Sequence, residues 1–186
     1  MPVVEVHGLD GCASEARSRL TAALTQAIRS VDPAPDGAIT VLIREGPAGT
    51  DANGGDTQTK PPALPDPCEL VLKYLSLMEA RDLSAAQAML ADDFEMIFPG
   101  TAPMRSLEEL VEWAAPRYRS VNKTYDAIEA FQGDGGAIVY TRGTLAGAWP
   151  DGTPFNGIRF IDRFEVEGSK IIRQDVWNDI AEVRPG

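Results

Sequence analysis

The chain has 186 residues, a net charge of -11 and 44% hydrophobic residues, enough apolar mass for one ordinary domain or two small ones. Its acidity and the lack of any basic run argue against a nucleic-acid partner, which needs clustered Lys and Arg. No apolar stretch approaches the ~18 residues of a membrane span, no signal-peptide pattern opens the chain, and two cysteines, Cys12 and Cys68, make no disulfide framework, so a cytoplasmic protein with reduced thiols is expected.

Pro2 follows the initiator Met1. Removal of Met1 would leave a free secondary amine. An α-amine titrates near ~8, and burial in an apolar pocket lowers that value. Such an amine can serve as a general base near neutral pH. Val3 to His7 reads as a strand. Ser14 is a plausible N-cap for a helix whose apolar residues Leu20, Ala23, Leu24, Ala27, Ile28 and Val31 recur at helical spacing. The run from Asp32 to Gly37 stops it, and Ile39 to Ile43 is a second strand. A helical crossover makes the two strands parallel. A unit of under ~60 residues is marginal alone, so self-association or docking is implied. The division is a β-α-β module over residues 1–47, a Gly- and Pro-rich linker over 48–66 and a larger module over 67–186.

The larger module opens with helices. Asp66 and Pro67 occupy N-cap and first-turn positions, and Leu70, Val71, Tyr74, Leu75 and Met78 share one face. Ser84 starts a second short helix through Leu90, and Phe94 to Phe98 is a short strand. Ser106 and Glu109 form a capping box ahead of a helix that Pro116 ends. Strands follow over 124–131, 137–145, 155–166 and 170–177, separated by the hairpin signals Gly133 to Gly136, Asp151-Gly152 and Glu167-Gly168. Helices first and an antiparallel meander after define an α+β module.

Residues 2–47 resemble the oxalocrotonate tautomerase family. The features that carry the likeness are Pro2, the Pro-x-x-x-x-His opening that ends on His7, Gly11, the helix, and a second strand ending in Arg44-Glu45. The resemblance implies a proline amine that moves protons on an enol or keto acid, with arginines holding carboxylates. Cys12 and Thr40 stand where the family's arginines fall, and Asp51 lies near its phenylalanine. A carboxylate beside an amine raises the amine's pKa, the reverse of what a base needs. Arg44 is either a displaced carboxylate contact or a solubilising edge charge. His7 is the only histidine, which excludes a histidine-built metal site within one chain. No metal or cofactor is expected.

Residues 67–180 resemble the nuclear-transport-factor-2-like superfamily, which includes ketosteroid isomerases, SnoaL-like polyketide cyclases and epoxide hydrolases. The carrying segments are Leu72 to Leu75 through Leu83, Leu90 to Phe94, Phe160 to Phe164 and Gly168 to Ile171. The resemblance implies a cone-shaped, curved antiparallel sheet packed with N-terminal helices. It places Tyr74 and Asp162 as the oxyanion donors of the isomerases, and it puts Phe98 where their base should lie. Tyr74 reads alternatively as a core aromatic, and Asp162 as the partner of Arg159 or Arg163. Arg173, Asp175 and Trp177 share one face of the last strand. With Trp177 inward, Asp175 is a buried acid or base. With Ile172 and Val176 inward, Asp175 is a solvated charge. A bulge near Ser169 would switch the parity.

The expected catalytic residues are therefore Pro2, Tyr74, Asp162 and Asp175, with Arg44, Phe98 and Trp177 contacting substrate. The expected function is proton transfer on a small keto, enol or aromatic compound, of isomerase, tautomerase or cyclase type, in a homo-oligomer. The alternative is a non-catalytic ligand-binding protein whose N-terminal module assembles subunits.

Overall fold

A computed structural model describes residues 2–9, 12–32, 35, 37–46, 52–53, 56–57 and 62–183. The chain separates into two compact units, divided between Leu64 and Pro65.

In the first unit, strand β1 (Val3–Leu9) pairs in parallel with β2 (Thr40–Gly46), joined through helix α1 (Ser14–Arg29). The N-cap is Ala13, not Ser14, and it makes no side-chain cap. Strand alternation puts Val4, Val6, Val41 and Ile43 on the half-buried side and Val3, Glu5, Leu42 and Arg44 on the exposed one. No residue of this unit whose burial is described is fully buried. Val3 is 55% exposed and Leu42 40%. Within the stretch read as linker, β3 (Ala52–Asn53) and β4 (Asp56–Thr57) form a short antiparallel pair.

The second unit begins with α2 (Pro67–Glu79). Asp66 caps it by accepting from the N–H groups of Cys68 and Glu69. The predicted apolar face is the buried one: Leu70, Val71, Tyr74 and Leu75. Helix α3 (Leu83–Gln87) is capped by Asp82 rather than started by Ser84. Strand β5 (Leu90–Ile97) therefore begins earlier than expected. In α4 (Leu107–Ala114) Ser106 accepts from Glu109 N–H, while the Glu109 carboxylate reaches back to Arg105 N–H. The strands β6 (Ser120–Gln132), β7 (Ala137–Ala148), β8 (Pro154–Glu167) and β9 (Lys170–Asn178) form the meander, ahead of the short α5 (Ile180–Val183).

The sheet order is β5-β9-β8-β7-β6. β5 runs parallel to β9, so the sheet is mixed rather than wholly antiparallel as expected. Register slips between Tyr125 and Ala127, Leu145 and Gly147, and Glu165 and Val166 bend the strands. The bending brings backbones close. A Cβ on Gly143 would lie 1.9 Å from the Thr124 carbonyl oxygen. The main core gathers between the helices and the inner sheet face around Val71, Tyr74, Met96, Leu107, Phe164 and Ile171. A fully buried Phe or Ile there contributes roughly 1.5–3 kcal/mol. A second cluster, with Leu145, Trp149, Phe155 and Ile158, fills the other end. Among the described residues no helix is long and apolar enough to cross a membrane.

Candidate active site

A cavity of about 130 Å³ opens within the second unit between α2, α4 and the inner face of the sheet. Its apolar walls include Leu75, Met78, Phe98 and Leu110. Tyr74, Lys123, Tyr125 and Gln174 supply its polar groups, and Glu79 and Arg81 also line it. A mostly apolar hollow with a few convergent polar groups is the usual form of a small-molecule site.

Behind these groups lies Asp162. Alternation along β8 turns Phe160, Asp162 and Phe164 to the inner face, and Asp162 is 0% exposed. Its Oδ2 accepts a hydrogen bond from Lys123 Nζ. Its Oδ1 is buried with no partner among the described residues, as is Thr141 Oγ1 opposite it in the register of β7 and β8. Burial pushes the Asp162 carboxyl up, and the Lys123 charge opposes that shift without cancelling it. Lys123 Nζ also sits 4.6 Å from the centre of the Phe160 ring.

The pairing with Lys123 replaces the expected partners of Asp162. Arg159 and Arg163 have the opposite parity on β8 and point to the other face. There Arg159 pairs with Asp179 at 2.6 Å, and Arg163 with Glu165 at 2.6 Å. Tyr74 does not donate alongside Asp162. Its hydroxyl donates to Gln174 Oε1 at 3.3 Å. Burial, and then the negative charge of Asp162, push the Tyr74 phenol above its ordinary range. Burial, Glu79 and Asp162 do the same to Tyr125. Both phenols keep their protons, and the same buried carboxylate acts on both.

The last strand turns its other side to the cavity. Arg173 pairs with Glu165, but Ile171 pairs with Val166, so Ile172 is an extra residue on β9. That bulge turns Ile171, Gln174 and Val176 to the inner face and Arg173, Asp175 and Trp177 to the other, where Asp175 is still buried at 9% exposure. Asp175 is neither a cavity acid nor a solvated charge. It accepts from Arg173 Nε at 3.0 Å and from Arg163 at 3.2 Å. Trp177 is 53% exposed. Phe98 does line the cavity, with its ring 5.2 Å from that of Trp113.

In the first unit Pro2 is half-buried and its carbonyl accepts from Thr40 N–H at 3.1 Å. Arg44 faces His7 in the register and forms an ion pair with Glu5. Four residues of strand, about 13 Å, separate the Arg44 position from Thr40. Pro2 and Arg44 thus sit at opposite ends of the two-stranded sheet. Met1, Gly11 and Asp51 lie outside the described residues. Among the described residues no group of three or more His, Cys, Asp or Glu side chains gathers to hold a metal ion.

Sequence patterns alone did not single out Lys123, Tyr125, Glu79 or Gln174 as site residues. The alternation Val121, Lys123, Tyr125 carries a signal for two of them, since it sets a lysine on the apolar side of a strand.

A curved mixed sheet closed by N-terminal helices around an inner cavity is the architecture of nuclear-transport-factor-2-like proteins. The SnoaL-like domain family matches residues 71–174, more than half of the chain, and the chain belongs to that family. The match begins at residue 71 and so leaves the N-terminal unit outside it. Solved structures share the fold. A nuclear-transport-factor-2-like protein from Burkholderia thailandensis E264 is 22% identical, with a TM-score of 0.51 over 64% of this chain and 98% of that one. TerC, co-crystallised with polyporic acid, is 15% identical, with a TM-score of 0.53 over 61% of this chain and 92% of that one. A candidate polyketide cyclase from Xanthomonas campestris pv. campestris is 17% identical, with a TM-score of 0.50 over 61% and 90%. No curated protein matches the chain.

Proposed function

We propose that the cavity of the second unit binds a small carbonyl or phenolic compound and moves a proton on it, as an isomerase or cyclase does. The observation that carries this reading is the buried Lys123–Asp162 pair behind an apolar cavity that Tyr74, Tyr125 and Gln174 also line. A ligand oxygen accepts from the Lys123 ammonium and a tyrosine hydroxyl. Negative charge that develops on that oxygen as an enolate forms is then met by donors already in place. Glu79, a carboxylate lining the same cavity, takes the proton from carbon. It supplies the base that Phe98 cannot.

A second reading keeps the cavity as a binding site without turnover and gives the first unit the task of assembly. Its support is that Val3, Leu20 and Leu42 stay exposed in a unit with no fully buried described residue. Covering such a surface with a second copy would make a homo-oligomer.

The test is exchange of α-protons for deuterium in phenylpyruvate and related keto acids, followed by proton NMR. The proposal expects exchange catalysed by the wild type, lost on Glu79→Gln and kept on Pro2→Ala. Exchange lost on Pro2→Ala and kept on Glu79→Gln would move the chemistry to the N-terminal amine. Calorimetric binding of the same compounds with no exchange would favour the second reading.

A further inference from the structure

Phe98 borders two hollows. On one side is the cavity of about 130 Å³. On the other is a groove of about 700 Å³, lined by the turn Pro99 to Thr101 together with Arg173, Val176 and Trp177. Among the described residues, Phe98 alone lines both.

The backbone at Phe98 is fixed by the turn that follows, and its ring is packed against Trp113. The Phe98 N–H donates to Thr101 Oγ1 at 3.0 Å, and its carbonyl accepts from Thr101 N–H at 3.0 Å. Gly100 takes a left-handed φ of 75° within that turn, which a side chain would strain. The Phe98 ring packs against Trp113 at 5.2 Å, and Trp113 carries the Arg117 guanidinium 4.1 Å from its ring centre.

The size of the inner cavity has a chemical meaning. An apolar cavity of ~150 Å³ in another protein holds one benzene molecule. A hollow of about 130 Å³ therefore seats one six-membered ring, and a second ring that extends on the Phe98 side would enter the groove beyond it.

We infer that Phe98 is the specificity-determining residue of this site, restricting its ligands to a single ring by walling the cavity off from the groove that holds Trp177. The inference rests on the cavity being the ligand site. Shortening Phe98 joins the two hollows. A second ring then extends past position 98 toward the turn Pro99 to Thr101 that lines the groove.

The test is calorimetric titration of the full chain with 4-hydroxybenzaldehyde and with 4-phenylphenol. The wild type is expected to bind the one-ring probe at least about tenfold more tightly, the scale of a clash or of one unburied ring. Phe98→Ala is expected to remove or reverse that preference. Phe98→Leu keeps an apolar contact with Trp113 and is expected to narrow the ratio, so it serves if circular dichroism shows Phe98→Ala unfolded. Tyr74→Phe is expected to weaken the one-ring probe without changing the ratio. An unchanged ratio in the folded Phe98 variants, or equal binding of both probes by the wild type, overturns the inference alone. Failure of the wild type to bind either probe overturns the reading of the cavity, and the size limit with it.

Discussion

Lys123 on β6 donates its ammonium hydrogen bond to Asp162 on β8, across the intervening strand β7. The two groups are separated by 39 positions in sequence and by a whole strand in the sheet. Asp162 is wholly buried, so the charge pair is held in a low-dielectric setting where one partner alone is expensive.

That relationship predicts strong non-additivity. Lys123→Met leaves a buried carboxylate without its cation and should cost about 3–5 kcal/mol of stability. Lys123→Met with Asp162→Asn should cost clearly less than the two single changes summed. Urea unfolding of the four proteins reads this out. Additive losses would mean that the pair does not form.

Asp162 also gives the protein a pH signature. Its carboxyl is raised above the ordinary 3.8, chiefly by burial. Above that pH the unfolded chain has released a proton that the folded chain still holds. The unfolded state then binds fewer protons, so stability falls as pH rises through the window that starts near 3.8. Urea midpoints at stepped pH values should show that loss in the wild type and not in Asp162→Asn. A pH-independent difference between the two would contradict the burial of a titrating group there.

At the alkaline end, burial raises the phenols of Tyr74, Tyr118 and Tyr125 above the ordinary value of 10. The unfolded chain loses those protons first, so stability falls as pH rises through 10. Near pH 11 the native protein should show far less phenolate absorbance at 295 nm than the protein in urea. Equal absorbance in the two would place these hydroxyls in water.

Asp175 provides a negative control. It lies on the face of β9 away from Gln174 and pairs with Arg163 and Arg173. Asp175 is 9% exposed and its carboxylate accepts from two arginines, so Asp175→Asn should lower stability by roughly 1.5–3 kcal/mol, the scale of a hydrogen bond to a charged group. Affinity for a phenolic probe, measured by calorimetry, should stay unchanged. A loss of affinity as large as that of Tyr74→Phe would put Asp175 in the cavity.

Local chemistry makes much of the second unit legible in the sequence. Asp66 and Pro67 start α2 through hydrogen bonds that span a few residues. Glycines mark the turns of the meander, and side-chain alternation on β8 points Asp162 inward. Three features have no local signal. The parallel pairing of β5 with β9 joins segments about 80 residues apart, so the sheet reads as antiparallel. The sequence leaves both parities of β9 open, and the extra residue at Ile172, a few positions beyond the bulge considered near Ser169, turns Gln174 and Val176 inward. The partner of Asp162 depends on which strand lies two places away, and the arginines beside it in sequence face the other way. In the first unit the strand-helix-strand order is legible, while the helix cap falls on Ala13.

The central claim is that the polar groups beside Lys123 and Asp162 hold the oxygen of a small ligand. Calorimetric titration with a one-ring phenol tests it most directly, comparing the wild type with Tyr74→Phe and Tyr125→Phe, both tyrosines lining the cavity. Each lost hydroxyl at the site should weaken binding about 5- to 10-fold. Wild-type affinity in both variants, each folded by circular dichroism, would contradict it.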